Sequence, residues 1–409
     1  MKKLSLTIVF CLTVVVFTFG QKKAINDAKR EIKNNKPNFE DARNLISEAK
    51  ENPETKENSE TWYVAGLIEN KQFDDEKMIQ EVMGQIPDEA KMYTALGNIM
   101  PNFSVADSLD MLPDEKGKVK PKYRKDMKSI MTYNFNRLYY VAGGGYFFDN
   151  KDYKMAYKLF QQYVNIPQME MFKGDRLAEK DTLYTQIKYY AAISLSQIGD
   201  SEKTIAAYQD LKNDGYKENE IYQYLCSEYE QINDTINLIK TLKEGFEKFP
   251  TESYFLLSLI NQYIYTGQAD EAIAYLTKAI DATPEEPQLY DVLGKIYEEK
   301  QDIPNAQVNF EKALAINPEY TESIGNLGRI FFNQAVAAQT AANEIADNRK
   351  YEAAKAQTNE MFKVALPYFE QAHQMKPDDR DYMIALSRIY YVLNMGNKFN
   401  EIEKKLGNQ

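Results

Sequence analysis

Histidine and cysteine are nearly missing from this chain. Among 409 residues there is one His, His373, and there are two Cys, Cys11 and Cys226. A zinc site gathers three or four N and S ligands, which one imidazole and a distant thiol cannot supply. A hydrolase built on His or Cys partners has equally little to draw on. Tryptophan is single too, at Trp62, whereas carbohydrate platforms favour exposed Trp. Glycine and proline are sparse, 18 and 14 residues, which suits a helix-rich chain better than an all-β one. A cationic excess is also absent. Lys and Arg total 50 against 61 Asp and Glu, a net charge of -11. Nucleic acid is disfavoured, because Lys and Arg must displace counterions from phosphate. Docking on anionic lipid is disfavoured for the same reason.

The N-terminus reads as an export leader. Lys2 and Lys3 precede an apolar run from Leu4 to Phe19, and Gly20 then meets the polar Gln21-Lys22-Lys23. This is a charged segment, an apolar segment and a small residue at a cut. The run is short for a stable membrane span, which needs roughly 20 apolar residues. Residues 1–20 are therefore expected to be removed, leaving no integral span and placing the protein in the periplasm or cell envelope. Cys11 sits inside the apolar run, too early for a lipid-attachment site. Removal leaves Cys226 alone, so no internal disulfide can form.

Tyrosine and phenylalanine are plentiful, at 30 and 20 residues, and many recur at a fixed period. Tyr222, Leu256, Tyr290 and Ile324 are each 34 residues apart. Leu225, Leu259, Leu293 and Leu327 follow in step, then Cys226, Ile260, Gly294 and Gly328, then Tyr229, Tyr263, Tyr297 and Phe331. These slots form one helical stripe. A second stripe carries Leu238, Ala272 and Ala306; Leu242, Leu276 and Phe310; Gly245, Ala279 and Ala313. Pro250, Pro284 and Pro318 then close each unit, since Pro cannot continue a helix. Small residues let two helices approach, and Tyr and Phe fill the wedge between hairpins.

This pattern resembles the tetratricopeptide repeat, which Tyr290, Leu293, Gly294, Tyr297, Ala306, Phe310, Ala313 and Pro318 match at every slot. The layout as a whole looks like exported tetratricopeptide proteins of Gram-negative envelopes. The resemblance implies an all-α fold, an α-solenoid in which antiparallel helix hairpins stack into a right-handed superhelix. The repeat array is read over 185–379, with an Ala-, Glu- and Lys-rich insertion at 337–361 expected to lengthen both helices of one hairpin into an arm. A terminal repeat and capping helix follow at 380–409. Upstream, 130–184 reads as one hairpin near Arg137 to Pro167 plus a loop from Gln168 to Tyr184. Residues 21–129 read as a divergent helical-repeat region with an exposed loop at 113–121.

No enzyme, cofactor or metal is expected. His373 reads as a helix-face residue, Cys226 as a buried thiol, and Gly143-Gly144-Gly145 as a tight helix contact rather than a phosphate loop, because no Lys-Ser or Lys-Thr follows. The resemblance implies a non-enzymatic scaffold or adaptor that holds a peptide or helix of a protein partner in a concave groove lined by first helices. A glycan-binding helical-repeat protein is the alternative. The groove face maps to Tyr189, Gln223, Tyr224, Ser227, Asn261, Tyr265, Asp291, Lys295, Asn326, Arg329, Asn333 and Arg388. Amides can satisfy an extended peptide backbone, and Tyr adds contact area at low entropy cost. On this reading, Asn261→Ala and Asn326→Ala should weaken partner binding and leave the fold intact.

Overall fold

The computed structural model describes residues 22–407. The leader expected over 1–20 lies outside the described residues. Among the described residues the chain forms twenty α-helices and no strand, and it divides after Thr235 into two compact units.

The first unit opens with α1 (22–31), α2 (Phe39–Glu51), α3 (Ser59–Glu81), α4 (Glu89–Asp110) and α5 (Arg124–Asn136). It continues with α6 (Tyr139–Asp149), α7 (Tyr153–Asn165), the single-turn α8 (Leu177–Lys180), α9 (Tyr184–Ile198), α10 (Ser201–Leu211) and α11 (Glu218–Gln231). The second unit holds α12 (Thr235–Lys248), α13 (Ser253–Tyr265), α14 (Ala269–Ala282), α15 (Pro287–Glu299) and α16 (Ile303–Ile316). It ends with α17 (Thr321–Asn343), α18 (Asn348–Met375), α19 (Arg380–Val392) and α20 (Gly396–Gly407). Helices adjacent in sequence pair, as α3 with α4, α6 with α7, α13 with α14, α15 with α16 and α19 with α20.

Local chemistry sets the ends. Asp152, Asp200, Asp302, Asp347 and Asp379 each accept a backbone N–H of the turn that follows them, capping α7, α10, α16, α18 and α19. The periodic prolines stand two residues past a helix end: Pro250 after α12, Pro284 after α14, Pro318 after α16 and Pro377 after α18. Small residues sit where helices touch. A Cβ on Gly294 would lie 2.6 Å from the Phe310 ring, and one on Gly143 would lie 2.7 Å from Tyr93. Gly144 faces Phe160 as closely, so the glycine triplet is a packing device.

One proline does not end its helix. Pro101 lies inside α4. It deprives the carbonyl of Gly97, four residues earlier, of its helical donor. Gln162 of α7 replaces that donor: its Nε2 donates to Gly97 O at 2.7 Å.

Two boundaries differ from the sequence reading. The division placed at 129–130 falls inside α5. The segment expected as a loop from Gln168 to Tyr184 contains a 3-10 turn at Glu170–Phe172 and the turn of α8. Met171 and Phe172 are buried in the core of the first unit, because that segment carries its own apolar side chains. Tyr163 Oη donates to Asp181 Oδ2 at 2.6 Å, and Tyr184 Oη donates to Val164 O at 2.9 Å, fastening both ends. Residues 113–121 are exposed, as expected. The Ala-rich insertion forms the extended ends of α17 and α18, which are 23 and 28 residues long and joined by residues 344–347.

Candidate functional site

Four candidate groove residues lie in the first unit. Tyr189 of α9 is buried, and its hydroxyl donates to Glu220 Oε2 of α11 at 2.9 Å. Burial, with the Glu220 hydrogen bond behind it, raises the phenol above its usual range. Tyr189 therefore joins two helices from inside the wall. Tyr224 is exposed and stacks on Tyr208, with ring centroids 5.6 Å apart. Gln223 is half-buried and donates to Asn219 Oδ1 at 3.0 Å, while Ser227 is exposed.

The other eight lie in the second unit. Asn261 and Tyr265 are exposed on α13. Asp291 of α15 is 1% exposed, contrary to its expected place on a surface. Its carboxylate is satisfied internally: Ser323 Oγ donates to Oδ1 at 2.8 Å, Asn326 Nδ2 donates to Oδ1 at 2.9 Å, and Lys295 Nζ pairs with Oδ2 at 2.7 Å. A buried carboxylate needs such partners in place of water. Next to it, burial and the Asp291 charge push the Tyr320 phenol up to about 12.

Arg329 of α17 makes a two-pronged ion pair with Glu298 of α15, Nη2 to Oε2 at 2.9 Å, and donates to Asn326 Oδ1 at 3.0 Å. Asn326 thus bridges a buried carboxylate and a surface guanidinium. Removing it would leave Asp291 short of a donor, at roughly 1–3 kcal/mol. The expectation that Asn326→Ala spares the fold is therefore corrected; Asn261, exposed on its helix, remains a mild position.

Between α17 and α19 lies a cavity of about 320 Å³. It brings together Asn326, Arg329, Asn333 and Arg388, four of the candidate residues. Sequence reasoning missed its apolar lining, Phe332, Phe369, Tyr382 and Ile384. Ile384 is half exposed, and the Tyr382 hydroxyl stands so close to Gly325 that any side chain at 325 would displace it. The available signal was the pair Gly325 and Gly328 on one helix, which announces two close approaches. Arg388 donates to Gln339 Oε1 at 3.0 Å and makes no ion pair among the described residues. A second cavity, about 430 Å³, lies where the long hairpin meets the end of α19, and is lined largely by polar groups such as Gln339, Lys355 and Asn359.

Among the described residues no group of His, Cys, Asp and Glu could hold a metal ion. Cys226 is fully buried, and burial pushes its thiol up to about 12, which disfavours the thiolate. The indole N–H of Trp62 donates to Lys56 O at 2.7 Å, and the Lys50 ammonium lies 4.8 Å from the ring centroid.

Helix hairpins in 34-residue register, with a cavity between first helices, define an all-helical repeat protein. Residues 251–286 and 287–320 each match the tetratricopeptide repeat family model, so the chain carries tetratricopeptide repeats. It is 42% identical over 53 residues to cellulose synthase operon protein C of Escherichia coli (strain K12), and equally to the putative cellulose synthase operon protein C of Escherichia coli O157:H7. That stretch is 13% of this chain and 5% of either relative. Among solved structures, the C-terminal part of a TPR repeat-containing protein from Cytophaga hutchinsonii is 16% identical. It covers 64% of this chain and 92% of its own, with a TM-score of 0.42. YrrB, described as a TPR protein with an unusual peptide-binding site, is 12% identical, covering 49% of this chain and 95% of its own, with a TM-score of 0.32.

Proposed function

We propose that this protein is a non-enzymatic scaffold or adaptor of the cell envelope that holds a peptide or helix of a partner protein against the first helices of its second unit. The carrying observation is the cavity between α17 and α19. Its lining combines apolar side chains, Phe332, Phe369 and Ile384, with polar and charged ones, Asn333, Arg329, Arg388 and Asp381. An apolar side chain can pack on the first set while the Asn333 amide and the Arg388 guanidinium take backbone carbonyls or a carboxylate. Tyr382 supplies contact area beside them. Envelope location rests on Lys2, Lys3 and the apolar run of residues 4–19. It agrees with a chain in which no described helix is long and apolar enough to cross a membrane.

The test is a peptide-library selection on the whole protein, followed by affinity measurements on Asn333→Ala and Arg388→Ala. Both side chains are exposed, so each change should cost under about 0.5 kcal/mol of stability. Binding should fall about tenfold for each. Peptides indifferent to both changes, but lost when residues 340–355 are excised and closed with a short turn, would move the site to the long hairpin. Intact-mass analysis of the protein from its own cell should begin at Gln21; a species starting at Met1 ends the envelope reading.

A further inference from the structure

The long hairpin of α17 and α18 carries a polar cavity that the peptide reading leaves unused. Where the lengthened helices meet the end of α19 they enclose about 430 Å³, within the usual span of small-molecule clefts, about 300–1,000 Å³. Side chains one turn apart on a helix share a face, and each helix brings such a set. Asn343 comes from α17, one turn after Gln339. Tyr351, Lys355 and Asn359 come from α18. Tyr391 stands at the end of α19, and Asn394 in the turn beyond it.

Local contacts fix these groups. Asn394 has φ +54°, a left-handed conformation that Asn tolerates better than most residues. Its N–H donates to Tyr391 O at 3.2 Å, so the two residues share one tight turn. The Tyr391 ring is 70% exposed, yet its centroid lies 5.8 Å from that of Phe399 on α20, which backs one side of it. On α18 the Lys355 ammonium lies 5.7 Å from the Tyr351 ring centroid. Gln339 Oε1 is taken by Arg388, which leaves the Nε2 donors of Gln339 unused.

The free hydrogen-bonding groups define the ligand. The side-chain amides of Asn343, Asn359 and Asn394 and both tyrosine hydroxyls make no hydrogen bond with another described residue. Each amide both donates and accepts, as does each phenol. A sugar hydroxyl has the same dual character, and two neighbouring hydroxyls can take both ends of one amide. The C–H face of a pyranose ring complements an exposed aromatic face, whose π-system is negative. No carboxylate lines the cavity, although the chain is strongly acidic, so nothing there selects a cation. Aliphatic lining is confined to Ala342 and Val392, too little to anchor the buried side chain on which peptide recognition usually rests.

We infer that this cavity binds carbohydrate, with a pyranose ring laid on Tyr391 and its hydroxyls held by Asn343, Asn359 and Asn394. The scarcity of tryptophan does not oppose this, because Tyr391 supplies the platform. The site is distinct from the cavity lined by Phe332 and Phe369 and does not depend on what fills that one.

Saturation-transfer NMR on the whole protein tests the inference. The probes are cellobiose, maltose, N,N′-diacetylchitobiose and a disaccharide ending in glucuronic acid. Sorbitol, which has hydroxyls and no ring, is the control, and a pool of neutral hexapeptides runs in parallel. At least one disaccharide should take up saturation above sorbitol, most strongly at the C–H protons of one ring face. Its dissociation constant should rise at least tenfold in Tyr391→Ala and in Asn359→Ala, and stay within about twofold in Tyr391→Phe. Asn359→Ala carries the test if loss of the Phe399 contact unsettles α20 in Tyr391→Ala, a change that a thermal melt would reveal. A preference for the glucuronic-acid probe that Lys355→Met abolishes supports the site and adds Lys355 to it. No disaccharide signal above sorbitol, sugar binding indifferent to both alanine variants, or a hexapeptide signal lost in those variants without any sugar signal overturns the inference.

Discussion

Gln162 does the work of a missing backbone donor. Pro101 leaves Gly97 O without a helical partner, and Gln162 is buried against it. Gln162→Leu should therefore cost roughly 1–3 kcal/mol, the usual penalty for a buried carbonyl left unpaired, read as a lower denaturation midpoint. Pro101→Ala in the same background restores the helical N–H and should recover most of the loss. His373 gives a pH signature. Burial first, then the Lys405 ammonium 3.3 Å from Nε2, lowers its pKa below the usual imidazole value. Its Nδ1 is buried without a partner. The folded state thus resists a proton that the unfolded chain takes up near pH 6.5. Stability from this group is complete above about pH 6.5 and is lost as pH falls through the lowered folded value. In His373→Gln the denaturant midpoint should fall less between pH 7.5 and pH 5 than in the parent.

At the scale of elements, the turn inside each hairpin repeats as strictly as the helices do. Gly199, Asn233, Gly267 and Gln301 are 34 residues apart, and all have positive φ, +83°, +57°, +71° and +60°. At Gly267 a side chain would meet nothing within 4 Å, so the constraint is backbone conformation alone. Gly267→Ala should cost about 1–2 kcal/mol, measured by chemical denaturation, and Gln301→Gly should be neutral or mildly stabilising. Much of this level was legible in the sequence. Leu225, Leu259, Leu293 and Leu327 are all buried at their shared slot, and Gly294 meets Phe310 as the small-and-large pairing requires. What escaped had a tertiary cause. A proline in a helix interior ordinarily breaks it; Pro101 is accommodated because Gln162, 61 residues on, stands beside Gly97. Asp291 reads as a groove residue until Ser323 and Asn326 of the next hairpin close over it. Asn326, Arg329, Asn333 and Arg388 of the cavity lining were placed by register, whereas Asp381 was not, and part of the apolar lining comes from α18, through Phe369, which register does not bring to that face.

At the scale of the molecule, each unit carries its own buried clusters. Tyr93, Leu96, Phe103, Tyr140, Phe160 and Tyr163 belong to one in the first unit. Phe362, Phe369, Met383, Leu386 and Ile389 belong to another in the second. Contacts run mainly between helices close in sequence, so stability is approximately a sum of hairpin and nearest-neighbour terms rather than one global quantity. A local fault should then spread only as far as its neighbours. Gln162→Leu touches the joint between α4 and α7. Gly294→Ala drives a methyl to 2.6 Å from the Phe310 ring, at the joint between α15 and α16. Native-state hydrogen exchange on the two variants should show separate footprints. In the first, lost amide protection should centre on α4, α6 and α7 and leave α15 to α18 unchanged; in the second it should centre on α14 to α17 and leave α3 to α7 unchanged. Urea curves followed by the single Trp62 should shift for the first variant and stay in place for the second. Uniform loss of protection along the chain in both variants would mean that the protein unfolds as one cooperative body, and the additive description of its hairpins would have to be abandoned.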